Sequence, residues 1–486
     1  MTTSPSSPAA RGARGTTGFY RLAALLLAAF FGGIALVSLA VWVKNGHIAA
    51  LAHPTVLLWV AYAALCWWLV RKTADTRWTA AVLFAAALLP RLALCFVHTG
   101  TPTSDFANYW AMGQAFLRGD GASIAALVDQ YRVLEFSGLA ALWGGMQWIT
   151  GGSLLGFQIL QCCITAGIAV AIYALGSQAD KRVGRIAALL FALYPSNLVM
   201  AQVFTNQHLA VLLALCSILL FLHGLRADRL WQRLLYGALA GLALLVSHYA
   251  HASSMITRIA FALYAILLCF ALRRQTLRIL AVLAACLLLF SGGKALVDGA
   301  LLAGEYRLPA TEQFHQTERI LTGLTAETDG QLDQAQRDAF RAMTDEQANA
   351  AILQKFKQPI PLLKLFARKA AIMWGAMDSS FVFYTHEANE TPQTLAIASA
   401  LGALDVVYVA AVYLLAALGL CIQLFVKRGD ARPYHLPMLL VAGWIGVYLV
   451  YEIQMRYRYY AMPFLMIFAA LGLTLLLARG RKKGRA

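Results

Sequence analysis

Apolar runs of about 20 residues, separated by short polar interruptions, repeat along this chain, and that run length matches a hydrocarbon core of roughly 30 Å. Twelve such runs are predicted as membrane-spanning helices. They lie near residues 20–43, 54–70, 78–97, 154–176, 184–201, 206–224, 234–250, 254–272, 278–297, 402–426, 436–452 and 459–478. The tract 184–224 is one long apolar stretch, but Pro195-Ser196-Asn197 and Thr205-Asn206-Gln207 are expected to divide it, since open backbone needs water or protein partners. The first run is too long, and too poor in a small-residue cleavage site, for a removable signal peptide, so it is expected to be retained. The predicted fold class is an all-α polytopic membrane protein with about 12 transmembrane helices and two long extracytoplasmic segments.

Composition and charge sharpen this picture. Of 486 residues, 60% are hydrophobic and only 13% charged, too little polar surface for a soluble chain of this size. Basic residues recur in alternate loops: Arg11, Arg14, Arg21; Arg71, Lys72, Arg77; Lys181, Arg182, Arg185; Arg226, Arg229, Arg233; Arg273, Arg274, Arg278; Lys427, Arg428, Arg432; and the tail from Arg479 to Arg485. The positive-inside bias makes that side cytoplasmic and places both termini there. The net charge of +17 then reflects topology, with some attraction to anionic headgroups, and no nucleic-acid partner is expected. All eight cysteines fall inside predicted spans as small apolar groups, with no zinc spacing or disulfide framework.

The candidate chemistry lies on the outer side. The segment 98–153 opens HTGTPTSDFANYW, which puts Asp105 just beyond a span, at the membrane surface. A carboxylate there can act as a general base; equally, Ser104 and Asp105 precede an apolar helical repeat and can cap it. The segment 299–401 holds 12 of the 23 acidic residues, and its stretch from Thr317 to Phe356 reads as helical and solvated. Residues 357–375 follow as an interfacial helix, with Lys364, Arg368 and Lys369 toward headgroups or a bound phosphate. Near the C-terminus, VYEIQMRYRYYAMP packs Glu452, Arg456, Tyr457 and Arg458 into one outer turn, where arginine needs an anionic phosphate or a carboxylate partner. Arg91, Arg258 and Lys294 are charges within or at the ends of spans, functional candidates unless they snorkel. His248 and His251 flank an outer turn and suit a polar pocket better than a metal.

In order and sidedness these motifs resemble the GT-C superfamily of membrane glycosyltransferases, in particular relatives of protein O-mannosyltransferases and of the lipid A aminoarabinose transferase. The resemblance rests on LLPRLALCFVHTGTPTSDFANYWAMGQAFLRGDG, VGRIAALLFALYPSN and EIQMRYRYYAMPFLMIFAALGL, and covers roughly residues 78–478. It divides the chain into two extra helices (1–77), a catalytic core (78–298), the outer region (299–401) and the C-terminal helices with a basic tail (402–486). It implies inverting transfer of one sugar from a polyprenyl-phosphate donor to a glycan, lipid or protein acceptor, at the periplasmic face of a bacterial inner membrane. Asp105 would be the base, and Arg456, Arg458 and Arg258 would hold the donor phosphate. Tyr109, Gln207, His248, His251, Glu452, Tyr457 and Lys369 would complete the substrate pocket. Many relatives carry a second acidic residue where this chain has Phe106 or Asn206-Gln207, so the sequence does not support a divalent metal.

Two other classes share the span count. A secondary transporter is suggested by GSQADKRVGR (176–185), although that motif falls between the fourth and fifth spans and the halves do not repeat. A polysaccharide polymerase or ligase also has about twelve spans and a large outer loop, but uses a lipid-diphosphate glycan.

Overall fold

The computed structural model describes residues 8–44, 46–74, 76–97, 99–131, 135–303, 317–425 and 432–483. Among them the regular structure is helical, and the sole β feature is an isolated bridge between Gln331 and Ile453. Ten of the described helices are long and apolar enough to cross a bilayer: Thr17–Lys44, Pro54–Lys72, Thr79–Val97, Leu154–Gly176, Gln207–Arg226, Leu230–Ala250, Ser254–Ala271, Arg273–Ala300, Pro392–Gln423 and Pro433–Val450. Met462–Ala478 is apolar but shorter. The chain is therefore an all-α integral membrane protein, and the bilayer is its partner along these helices.

The predicted span 184–201 is not one helix. It forms Lys181–Ala192 and Pro195–Met200, followed by an irregular stretch to Gln207. Twelve helical residues rise only about 18 Å, well short of a hydrocarbon core. Pro195 cannot donate and biases Tyr194 to its extended backbone (φ −66°, ψ 112°), so the helix stops there.

What makes this break tolerable is that neighbouring side chains satisfy the backbone it opens. Arg91, wholly buried on Thr79–Val97, donates to the carbonyls of Ala192 (3.1 Å) and Phe191 (3.4 Å) and to the Asn197 side chain. Trp59 donates to Leu193 O at 2.9 Å, Gln158 to Gln202 O and Gln161 to Val203 O at 2.7 Å each. His208 bridges Met200 O (2.9 Å) and the Tyr459 hydroxyl (2.8 Å). Arg91 is thus a cap for broken backbone rather than a ligand group.

Other boundaries follow ordinary caps. Ser153, Asp180 and Thr391 accept from the first-turn amides of the helices they precede, and proline opens Pro54–Lys72 and Pro392–Gln423. Pro392–Gln423 packs between the N-terminal helix and Met462–Lys483. A Cβ on Gly419 would come within 2.0 Å of Phe468 O, so only glycine allows that helix approach. The segment 98–153, in which a helix is expected after Ser104-Asp105, carries the helices Ser104–Leu117, Gly121–Tyr131 and Glu135–Ile149, folded over one end of the bundle.

Candidate functional site

At that end lies a cavity of about 130 Å³. Its wall includes Asp105 and Tyr109 from the first outer helix, Gln207 and His251 from the ends of two spans, and Glu452, Arg456 and Tyr457 from the C-terminal turn. Seven of the sequence candidates, separated by up to 352 positions, thus meet in one place. Arg319 and Arg337 join them from the second outer segment.

Asp105 is placed by the chain that precedes it. Residues 99–103 lie outside any helix and are pinned where Thr101 N donates to Glu387 O at 2.9 Å. Thr103 is the helix N-cap and makes no side-chain cap bond; Ser104 takes a left-handed φ of +53°, unusual for a residue with a side chain. Asp105 therefore lies in the first turn and is not the capping residue, so its carboxylate is half-buried at the cavity rather than spent on the helix end. Beneath this stretch Glu387 is buried, its carboxylate accepting from Phe204 N at 3.1 Å. Burial pushes its pKa up to about 8 against the pull of that amide.

The C-terminal turn is held by the second outer segment. Thr317–Gly323 docks so that Glu452 N donates to Arg319 O (3.0 Å) and Ile453 N to Gly330 O (2.9 Å). Gly323 sits against this turn so closely that a Cβ would fall 2.2 Å from Val450 O. Gly330, at φ +73°, makes the bend back onto it. Sequence pattern alone predicts a solvated stretch over 317–356. Instead its first part is a buried wall of the site, because these backbone bonds can be made only by close docking.

Lys369 supplies the bolt. It is expected at the pocket or the headgroups, but its ammonium is 1% exposed and donates to Gly323 O (2.6 Å), Leu449 O (2.7 Å) and Tyr451 O (2.8 Å). Burial pulls its pKa down to about 7, with Glu452 acting in the opposite sense; three carbonyls matched to three N–H bonds keep the proton in place. Lys364 and Arg368 of the same helix, Pro359–Ala370, do face outward, Arg368 pairing with Asp329 at 2.7 Å.

Three further candidates are placed elsewhere. Arg458 is 1% exposed and bound by Asp378 (3.2 Å) and Asp405 (3.0 Å), with its remaining N–H groups on Trp374 O and Ala376 O. Asp405 also accepts from Ser196 N at 3.0 Å, so this group ties the turn, a span and the broken helix together. Two carboxylates leave Arg458 nothing for a phosphate. Arg258 lies with its guanidinium 4.1 Å from the Phe290 ring and does not line the cavity. His248 bonds Ser254 Oγ at 3.0 Å, one turn below the site. Lys294, the remaining charge at a span end, pairs with Asp298 in its own helix at 2.5 Å.

Arg456 differs from all of these. It is 7% exposed, its Nε donates to Gln454 at 2.8 Å, and its guanidinium lies 4.4 Å from the Phe383 ring centre. No carboxylate is within ion-pair distance among the described residues, and its Nη1 is buried with no protein partner. Gln207 Oε1, on the same wall, is likewise unpartnered. Such groups cost about 1–3 kcal/mol each when nothing meets them, which marks the wall as built to receive something polar.

Charge around the cavity is close to balanced. Three guanidiniums face two carboxylates, and Glu318 offsets Arg337 at 3.0 Å while holding Arg341 at 2.7 Å. Burial would lower the Arg319 pKa, but Glu452, Tyr457 and Tyr109 outweigh it and raise the value, so the guanidinium stays charged. His251 is neutral, its pKa pulled down to about 3 by burial and by Arg319 and Arg456. The Tyr109 hydroxyl is raised by burial and by Asp105, and Tyr457 is pushed up to about 12 by burial and Glu452, so both are hydrogen-bonding phenols. Among the described residues no group of three or more His, Cys, Asp or Glu is placed to hold a metal ion.

Next to His251, whose ring lies 4.9 Å from that of Tyr460, a narrow apolar crevice descends between Gln207–Arg226, Ser254–Ala271 and the C-terminal helices. Leu215, Ile256, Trp444 and Phe464 line it. Arg319 and Arg337 escape a reading of the sequence because they sit in a mixed-charge stretch; their one signal is arginine clustered on the side that the positive-inside bias depletes. No family model matches the chain, and no curated protein resembles it above chance.

Proposed function

We propose that this protein is a membrane glycosyltransferase that moves a single sugar from a polyprenyl-phosphate donor to an acceptor hydroxyl, with inversion. The observation that carries the reading is the buried Arg456 guanidinium, unpaired with any carboxylate among the described residues, on the same cavity wall as Asp105. The donor phosphate meets Arg456 and Arg319, with its prenyl tail in the surrounding bilayer. Asp105 takes the proton of the acceptor hydroxyl as that oxygen bonds to the sugar's anomeric carbon. The bond from that carbon to the phosphate oxygen breaks, and the electron pair leaves with the lipid phosphate, where the arginines stabilise it. Tyr109, Gln207 and the neutral His251 hydrogen-bond the sugar.

The same reading counts twelve crossings: the ten long helices, Met462–Ala478, and the broken path from Lys181 to Asn206. An even count returns both tails to the arginine-rich, cytoplasmic side of a bacterial inner membrane, with the cavity on the periplasmic side.

The test compares envelope glycans and glycolipids by mass spectrometry in cells with the gene, without it, and with Asp105→Asn. Loss of one monosaccharide in both the deletion and the variant is expected, and it identifies sugar and acceptor together. An unchanged glycome, or full rescue by Asp105→Asn, overturns the assignment.

A further inference from the structure

A second cavity, larger than the one at Asp105, lies elsewhere among the described residues. At the opposite, arginine-rich end of the bundle, about 700 Å³ opens between Pro54–Lys72, Lys181–Ala192 and Met462–Lys483. Arg71, Arg182 and Arg185 line its mouth, and Trp67, Ile186 and Leu476 are among the apolar residues of its wall. Among the described residues no carboxylate lines it. The nearest in sequence, Asp180, is engaged in capping, accepting from Arg182 N at 2.6 Å. One wall belongs to Pro54–Lys72, a helix outside the region that resembles the glycosyltransferases, which packs on the core through Trp59, Cys66 and Val70.

The chemistry of this cleft selects its occupant. A soluble phosphate would use the guanidiniums and leave the apolar wall bare. A zwitterionic lipid would cover the wall and bring a phosphate, but its quaternary ammonium would offset that charge beside three cations. An amphiphile with an anionic phosphate and two acyl chains uses both, and the end of a helical bundle sits at headgroup level. We infer that this cleft binds one anionic phospholipid, its phosphate between Arg71 and Arg182 and its chains along Trp67, Ile186 and Leu476. The lipid joins the helix Pro54–Lys72 to the core across a gap that protein atoms do not fill. This inference stands apart from the proposed transferase activity.

Native mass spectrometry of the full-length protein in detergent tests it, with phosphatidylglycerol, phosphatidylcholine of the same chains, and inorganic phosphate as separate probes. One phosphatidylglycerol per chain is expected, bound about tenfold or more tighter than phosphatidylcholine. The double variant Arg71→Gln/Arg182→Gln should weaken it about thirtyfold, the combined effect of removing two basic groups at headgroup level. Arg273→Gln/Arg274→Gln, exposed at the same end of the bundle but away from the cleft, should not change it. Should the glutamine variant fail to fold, Arg71→Lys/Arg182→Lys keeps the charge, loses bidentate geometry and should still weaken binding several-fold. Undiminished binding by the cleft variants overturns the site. An equal drop in both glutamine pairs reduces it to diffuse surface charge, and displacement of the lipid by millimolar phosphate replaces it with a soluble phosphoryl ligand.

Discussion

Buried cations in this chain fall into two kinds, and the sequence does not separate them. Arg91, Lys369 and Arg458 are spent on backbone carbonyls or carboxylates, whereas Arg456 is not. Asp105→Asn should cut turnover about 10²–10⁴-fold with the melting temperature unchanged, as expected for loss of a general base. Arg456→Ala should raise the donor KM about 10- to 100-fold, the value of a charge-assisted hydrogen bond. Arg458→Ala should instead cost about 3–5 kcal/mol of stability by stranding Asp378 and Asp405, read as reduced folded yield before any kinetic effect. Glu387 adds a pH signature. Its pKa is raised from 4.5 to about 8 on folding, so its contribution is fully present below pH 4.5 and lost as pH rises through 8. Thermal stability should therefore decline over that window, and Glu387→Gln should flatten the decline.

Elements read well from sequence where apolar length alone decides, as in the helices around Leu154–Gly176 and Leu230–Ala250. They read poorly where one element exists only because another braces it. The break at Pro195 is visible as Pro195-Ser196-Asn197, but its extent depends on Arg91, Gln158, Gln161 and His208, which carry no local signal of that duty. The docked stretch from Thr317 is hidden for the same reason: its pairing with the C-terminal turn joins two backbones, to which hydropathy is blind. Asp105 and Glu452 are legible because they follow or precede spans directly; Arg319 is not. Lys369→Met should release this docking while touching no substrate. Faster proteolysis between Thr317 and Gly330, together with weaker donor binding, would report it, and unchanged cleavage would remove Lys369 from that role.

Over the whole molecule, the decisive quantity is how often the chain crosses. If the broken path from Lys181 to Asn206 traverses the bilayer, both tails label from one side and a tag inserted after Asp345 labels from the other. If that path only dips and returns, the tails label from opposite sides. Accessibility labelling in sealed vesicles checks this directly, and the first outcome is expected, since the path begins beside the arginine-rich cleft and ends at the Asp105 cavity. The same path joins the Asp105 cavity to the arginine-lined cleft, the two cavities described above.

The brace at Arg91 has a consequence for how the chain is made. Thr79–Val97 leaves the ribosome about a hundred residues before the carbonyls of Phe191 and Ala192 that its arginine will meet. During that interval a lone guanidinium in a lipid-facing helix costs about 2.5–3.5 kcal/mol. The segment from Lys181, for its part, is too short and too irregular to enter lipid alone. Thr79–Val97 is long and apolar enough to insert despite that cost, whereas the later segment can settle only where Arg91 already stands to receive its carbonyls. The order of synthesis thus sets the brace in place before the segment that needs it.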